Sequence, residues 1–351
     1  DGAGVDAKLD WQRDADDPSL DRLAGSIQAH EFDVGAWLEG VELPAKITLS
    51  GDYSARLSQS ASQLDQADVN IHIADTSRWN GQPLQGQLIA EIARLDAFTG
   101  TELWQAYTVK NSDIDLRVGG NHVQAKGAFG LTNDLLKVMV NAPAIKQLWS
   151  GLDEIGATKL DAELKGSIFE HQLTAKVDHV LKGADPSVKV GNGPLTAQLG
   201  VQGVLDLASP SPSWRGQIQK MHAEHAGLGA DIAQAFKVDV LMPSAEQTFA
   251  LDVGAFSIQA LIDNVPWLKL HHTKTHVDEA GFSTQGQTDT LNISAKRVDD
   301  LMKRLGLNSD QEKRGGVVDK RERLTALDDL ALKLDWDVAL KDALAGRIRL
   351  Q

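Results

Sequence analysis

The chain has 351 residues, of which 42% are hydrophobic and 24% charged, a balance that excludes wholesale disorder. Its net charge of −14 argues against nucleic-acid binding, and the lack of cysteine excludes disulfides and thiolate chemistry. No run is long and apolar enough to predict a membrane-spanning helix. The chain opens and closes within a strand pattern, so we expect an interior piece of a longer protein whose anchor lies elsewhere.

Alternation of apolar and polar residues is the dominant pattern, and it predicts β-strands with one dry face and one wet face. In chain order the clearest stripes lie at 5–11, 47–49, 69–73, 114–118, 136–140, 160–168, 173–177, 195–207, 249–253, 291–295 and 330–340. The run 118–123 (VGGNHV) predicts a tight antiparallel hairpin, because its glycines supply the positive φ that such turns require.

Three segments change to helical spacing and predict short inserted helices, at 145–152, 228–236 and 298–305. Trp37 and Trp149 are expected to hold such helices against the sheet. The charged stretch 309–323 predicts a flexible linker, and no other composition shift suggests a domain boundary. Residues 1–351 are therefore predicted to form one continuous β-repeat segment.

The predicted fold is all-β: an elongated repeating sheet curled into a hydrophobic groove, with a few short helices. Weak internal repeats, in which a helix or turn precedes a strand that ends in glycine, support a stacked architecture. Periodicity alone is equally typical of a β-sandwich core, which is the commoner fold. The aliphatic stripe members are the predicted groove lining: Leu116, Val118, Val123, Ala125, Leu136, Val138, Val140, Leu160, Ala162, Leu164, Leu173, Ala175, Val177, Leu195, Leu199, Val201, Val238, Val240, Phe249, Leu251, Val253, Leu332 and Leu334.

Catalytic and metal-binding motifs are weak in this sequence. Five histidines have spacings that could hold zinc, but no carboxylate pair at ligand spacing accompanies them: His222, His225, His271, His272 and His276. The run 2–7 (GAGVDA) matches a loose dinucleotide fingerprint without the strand and helix that the fingerprint needs. We therefore predict no enzyme activity, no cofactor and no metal.

The order of motifs between 114 and 270 resembles the TamB family of the bacterial translocation and assembly module. The resemblance is carried by 114–130 (IDLRVGGNHVQAKGAFG), 142–152 (APAIKQLWSGL) and 160–166 (LDAELKG). The Trp-x-Gly-Gln elements at Trp79 and Trp214 are similar to motifs that recur in that family.

This resemblance implies a trough-shaped β-sheet, often called a β-taco, which carries phospholipid between the inner and outer membranes through the periplasm. It also implies an inner-membrane anchor outside this segment and a link to the outer-membrane barrel TamA, made through another part of the protein. An alternative function is a scaffold that assists outer-membrane protein assembly by pairing strands at its edges. A third alternative is a β-helical carbohydrate-active enzyme, which would need converging carboxylates.

Overall fold

The computed structural model describes residues 3–33, 44–58, 64–94, 107–149, 156–180, 194–207, 209, 211–232, 234–244, 247–289, 291–293, 330–340 and 344–350. Backbone pairing places 21 strands in one sheet and two in a second sheet, and every strand pairing among the described residues is antiparallel. The all-β prediction is confirmed. The chain divides into two compact units, residues 1–173 (unit 1) and 174–351 (unit 2), which are described separately.

Unit 1 is a series of antiparallel strands that mostly pair with their neighbours in sequence. These are β1 (Gly4–Arg13), β2 (Leu20–Asp33), β3 (Ala45–Ser58), β4 (Leu64–Ile73), β5 (Arg78–Trp79), β6 (Gln82–Arg94), β7 (Tyr107–Val118), β8 (Asn121–Phe129), β9 (Leu135–Ala142) and β10 (Thr158–Gly166). The two-residue β5 bridges β3 and β6, and β4 pairs directly with β6. Strand β11 (Glu170–Val180) spans the division between the units.

Unit 2 contains the remaining strands. These are β12 (Pro194–Asp206), β13 (Ser213–His225), β14 (Leu228–Ile232), β15 (Phe236–Leu241), β16 (Ala250–Val253), β17 (Phe256–Ile262), β18 (Val265–Asp278), β19 (Gly281–Thr288), β20 (Leu291–Ile293), β21 (Leu330–Leu332), β22 (Leu334–Leu340) and β23 (Leu344–Leu350). The long strand β13 pairs with β14 near its end and with β15 near its beginning. Strands β20 and β21 form the separate two-stranded sheet.

The helix predictions were only partly right. A 3₁₀ turn at Ile145–Gln147 occupies the first predicted helix. The prediction at 228–236 was wrong, because this segment forms β14 and the start of β15. Its apolar residues Leu228 and Ile232 satisfy strand alternation as well as helical spacing, and pairing with β13 decides between the two. The helix at 298–305, Trp37 and the stretch 309–323 lie outside the described residues.

The residues 144–149, here called the end cap, close one end of the strands in unit 1. Buried Asn121 ties the end cap to the predicted hairpin, since its Oδ1 accepts from the Ala144 amide and its Nδ2 donates to the Ala144 carbonyl, both at 3.0 Å. The Nε1 of Trp79 donates to the Leu148 carbonyl at 2.8 Å. Trp79 therefore holds this segment, whereas Trp149, expected to do so, is 45% exposed.

Candidate functional site

The strand register in unit 1 aligns apolar residues in rows that cross nine strands. Residues directly opposite each other in an antiparallel pair point to the same face, so each row belongs to one face. The first row contains Val5, Ala29, Leu49, Ile73, Gly86, Leu116, Val123, Val140 and Leu160. The second contains Ala7, Ile27, Gly51, Ile71, Leu88, Ile114, Ala125, Val138 and Ala162. We call this surface the apolar face of unit 1.

A third row extends this face with the same character. It contains Leu9, Gly25, Tyr53, Val69, Ala90, Ser112, Gly127, Leu136 and Leu164. Its polar atoms are satisfied within the protein, because the Tyr53 hydroxyl donates to the Lys8 carbonyl at 3.1 Å and Ser112 Oγ to the Gly127 carbonyl at 3.0 Å. Gly25 has no room for a β-carbon beneath the Tyr53 ring. The row therefore presents hydrocarbon without free hydrogen-bonding side chains.

Partial burial distinguishes this face from a closed core. Five large residues of the first row are half-buried, although each lies beside at least one paired strand: Leu49, Ile73, Leu116, Val140 and Leu160. The inner positions of a β-sandwich are almost completely buried by the facing sheet. The fully buried apolar residues described in unit 1 are few and mostly small: Ala29, Ala45, Leu84, Ala93 and Ala142. The apolar side chains of the rows thus remain partly accessible.

The opposite face of the same strands is polar. One of its rows contains Asp6, Gln28, Ser50, His72, Gln87, Asp115, Gln124, Met139 and Asp161. Cross-strand contacts connect its side chains, such as His122 Nε2 to Asp115 Oδ1 at 2.8 Å and Lys137 Nζ to Glu163 Oε1 at 2.8 Å. Desolvation acts to raise the pKa of Asp115, but the hydrogen bonds from Gln124 and His122 outweigh it, so the pKa of this carboxyl lies below its ordinary value. This face is suited to contact with water.

Unit 2 has the same division into an apolar and a polar face. One apolar row crosses seven strands through Leu205, Trp214, Val240, Leu251, Val277, Phe282 and Leu340. Another crosses five through Leu199, Met221, Ile232, Ile258 and Leu270. Bulges in β13 and β18 shift the register without moving these residues to the other face. We call this surface the apolar face of unit 2.

Aromatic rings cover glycines on the apolar face of unit 2. A β-carbon at Gly203 or Gly216 would lie 2.5 Å from the Trp214 indole, and Gly286 has no space for one beneath Trp336. Phe236 and Phe256 lie with ring centroids 4.5 Å apart, and Phe256 stacks on His272 at 4.4 Å. These rings make the unit 2 face more aromatic than its aliphatic counterpart in unit 1.

The structure places the predicted lining residues on these faces with few exceptions. Those from Leu116 to Leu164 lie in the three rows of unit 1 or, for Val118, one step beyond them. The unit 2 residues follow the same alternation on β12, β15, β16 and β22. Phe249 precedes β16 and is 42% exposed, and Leu332 belongs to the separate small sheet. Leu173, Ala175 and Val177 are half-buried on alternate positions of β11.

None of the predicted lining residues lies on strands β1 to β6 of unit 1. Ala29 and Ile27 on β2 and Leu88 on β6 belong to the rows, and the period-two signal on 23–29 and 84–92 was available in the sequence. Their membership in one face depends on register, which a single sequence does not give.

The five candidate zinc histidines are separated by the pleat of the sheet. His222 lies on the polar face close to Asp231, whereas His225, three residues later, lies on the apolar face. His271 and His272 point to opposite faces, as neighbours in a strand must. Among the residues that the structure describes, no group of three potential ligands is placed to share a metal ion.

Two histidine clusters occupy the polar face of unit 2. His276 Nδ1 lies 2.7 Å from Asp252 Oδ1 and its Nε2 lies 3.1 Å from Asp278 Oδ2, and hydrogen bonds from the protonated ring to these carboxylates raise the pKa of His276. His271 bonds to Ser257 Oγ at 2.7 Å and to Asp289 Oδ1 at 3.0 Å. Ser257 and His271 are a directly opposed cross-strand pair, so this serine–histidine–aspartate chain follows the ordinary side-chain contacts of the polar face.

Comparison with known proteins adds no relative: no protein-family model, curated protein or solved structure matches the chain. Within the described residues, no helix has the length and apolar character needed to cross a membrane. The division of the sheet into an apolar and a polar face is therefore the structural feature that points to a function.

Proposed function

We propose that this chain is a passive lipid conduit, in which phospholipid acyl chains lie on the apolar faces and move along them. The observation that carries the proposal is the apolar face of unit 1, whose rows cross nine strands with no charged residue and with mostly half-buried side chains. A large accessible apolar surface on a folded protein is typical of a site that binds an apolar partner.

The dimensions of the face suit acyl chains. Strands lie about 4.8 Å apart, so a row across nine strands has a length of about 38 Å along the sheet. One acyl chain spans about half of the roughly 30 Å hydrocarbon core of a bilayer, or about 15 Å. A row can therefore accommodate at least two tails end to end, and each methylene that it shields from water contributes about 0.8 kcal/mol.

The chemistry of the rows favours a lipid tail over a peptide. Burial of a peptide leaves backbone amides and carbonyls that must find hydrogen bonds, and the unit 1 rows offer none from their side chains. An acyl chain has no such requirement. Aliphatic side chains also provide few directional contacts, so a tail on this surface has no strongly preferred position and is able to slide.

The resemblance to the TamB family extends this proposal to a cellular setting. In that setting the chain is the interior of a periplasmic protein, anchored in the inner membrane through another segment and linked to TamA near the outer membrane. Its lipid transport would contribute to outer-membrane integrity. No enzyme activity, cofactor or metal is part of the proposal.

A matched pair of substitutions on β10 tests this function. Leu160 belongs to the first apolar row, and its neighbour Asp161 is exposed on the polar face. Native mass spectrometry of the purified protein should detect co-purified phospholipid in the parent chain and in Asp161→Arg. Leu160→Arg should reduce the bound lipid while the circular dichroism of the sheet is unchanged. Equal lipid in both variants, or a parent chain that neither retains nor takes up phospholipid, would contradict the proposal.

A further inference from the structure

The polar face of unit 1 contains a cavity of about 620 Å³ between side chains of β4, β6 and β7. Small-molecule sites in proteins have volumes of about 300–1,000 Å³, so the cavity is large enough for a ligand. His72, Gln85 and Arg117 on its wall are exposed, so a ligand in solution has access to it. The polar side chains that line it are His72, Asp75, Gln85, Gln87, Asp115 and Arg117.

The cavity forms where β4 leaves the sheet. Strand β4 ends at Ile73, and β6 pairs with the short β5 at its start and with β4 from Gly86 onward. Gly86 also lies close to β7, since a β-carbon there would be 2.1 Å from the Asp115 carbonyl oxygen. Gly86 therefore lines the cavity with backbone alone, and Gln85 and Gln87 stand on either side of it on the polar face.

Asp115 is already satisfied within the protein. Its Oδ1 lies 2.8 Å from His122 Nε2, and its Oδ2 accepts a hydrogen bond from Gln124 Nε2 at 2.8 Å. Arg117 Nε lies 3.6 Å from Asp115 Oδ1, and this ion pair leaves the two terminal nitrogens of the guanidinium for other partners. Asp115 thus holds the wall of the cavity and has little capacity left for a ligand.

The neighbouring side chains do have unused hydrogen-bonding capacity. In the part of the chain that the structure describes, no hydrogen bond or ion pair engages the side chains of His72, Gln85 or Gln87. Each glutamine carboxamide has one acceptor oxygen and two N–H donors, and the guanidinium has its donors in a fixed planar fork. Adjacent hydroxyl groups of a sugar ring both donate and accept, so a pair of them can bond to one such planar group.

The charge and polarity of the wall favour a neutral, hydroxyl-rich ligand. The carboxylates of Asp75 and Asp115 outnumber the single permanent cation, Arg117, and this balance disfavours an anion such as phosphate. A cation would meet the Arg117 guanidinium and an Asp115 carboxylate that is already paired. An apolar ligand would remove water from the polar side chains without replacing their hydrogen bonds.

We propose that this cavity binds a neutral saccharide, whose ring hydroxyls bond to Gln85, Gln87 and the terminal nitrogens of Arg117. The cavity lies on the polar face, whereas the acyl chains of the proposed conduit lie on the apolar face. Saccharide binding is therefore a second function of the sheet, and it does not depend on lipid binding.

The test is a titration of the ¹⁵N-labelled protein with four neutral disaccharides: maltose, cellobiose, lactose and chitobiose. At least one of them should shift the side-chain amide signals of Gln85 and Gln87 in the NMR spectrum. Gln28 lies in the same polar row as Gln87 but outside the cavity, and its amide signal should stay in place. Gln87→Ala should weaken binding about three- to tenfold, as expected for one lost hydrogen bond, and Gln28→Ala should not weaken it.

The titration of the parent chain keeps the inference testable even if Gln87→Ala does not fold, and Gln85→Ala is a second variant on the exposed wall. The inference would be overturned if none of the four disaccharides shifted the Gln85 and Gln87 signals at high millimolar concentration. Inorganic phosphate or ethanolamine that bound more tightly than every disaccharide at these signals would overturn the neutral ligand class. None of these outcomes changes the lipid content of the parent chain, so the conduit proposal is tested separately.

Discussion

A charge placed on an apolar face should abolish lipid binding at a small cost in stability. Leu251 lies in the longest apolar row of unit 2 between Val240 and Val277, and it is half-buried. Full burial of a leucine contributes about 1.5–3 kcal/mol, so the half-buried side chain of Leu251 contributes about 0.8–1.5 kcal/mol. In Leu251→Arg, the aliphatic stem recovers part of this while the guanidinium reaches water from the open face. The expected loss is therefore at most about 1.5 kcal/mol.

In a closed core, Leu251→Arg would lower the free energy of unfolding much more. An unpaired charge in a sealed interior costs about 3–5 kcal/mol in addition to the lost leucine packing, which together approach the whole stability of a domain. Urea unfolding followed by tryptophan fluorescence measures the difference, since Trp214 and Trp336 lie on the same face. Asp239→Arg, on the polar side of β15, is the matched control and should change stability by less than about 0.5 kcal/mol. A Leu251→Arg variant that is unfolded even without urea would refute the open face and favour a sandwich.

Four further substitutions test the packing. Asn121→Ala should lower the free energy of unfolding by at least about 2 kcal/mol and increase hydrogen exchange in the end cap, because the Ala144 amide loses its partner. The raised pKa of His276 stabilises the folded state below about pH 6.5, the ordinary pKa of histidine, and this stabilisation is lost as the pH rises through the raised pKa. In a pH series of urea midpoints, His276→Asn should therefore remove this loss. Burial lowers the pKa of His272, so His272→Phe should remove a loss of stability that develops below about pH 6.5. Gly286→Val should displace the indole of Trp336, which shifts its fluorescence emission and costs about 1–3 kcal/mol. Unchanged midpoints or emission in these variants would contradict the contacts described.

The period-two pattern was sufficient to predict the fold class and most strand positions. The hairpin at 118–123 formed as expected, with Gly119 at a φ of +57°. The pattern also grouped most of the predicted lining residues on one face of their strands, because alternation is a local property. It could not distinguish strand from helix at 228–236, where both periods fit the same residues and pairing partners far along the chain decide.

The continuity of the apolar face was beyond the reach of a single sequence. Gly51 and Gly86 break the stripes of their own strands, yet register places each between large aliphatic residues of the neighbouring strands. The burial of both ring nitrogens of His225 without a hydrogen-bond partner is likewise a tertiary property, since nothing local distinguishes this residue from His222 on the other face. The role of Trp79 in holding the end cap depends on a contact across 69 positions of sequence.

Site-specific photo-crosslinking tests most directly the claim that acyl chains lie on the apolar faces. A photoreactive phenylalanine analogue would replace Val138, Leu160 or Val240 on those faces, and Asp161 or Asp239 on the polar faces, in cells that produce the protein. Mass spectrometry should detect phospholipid adducts at the three apolar positions and none at the two polar positions. Adducts at both sets of positions, or at neither, would contradict this claim, and protein adducts at the apolar positions would favour the scaffold function instead.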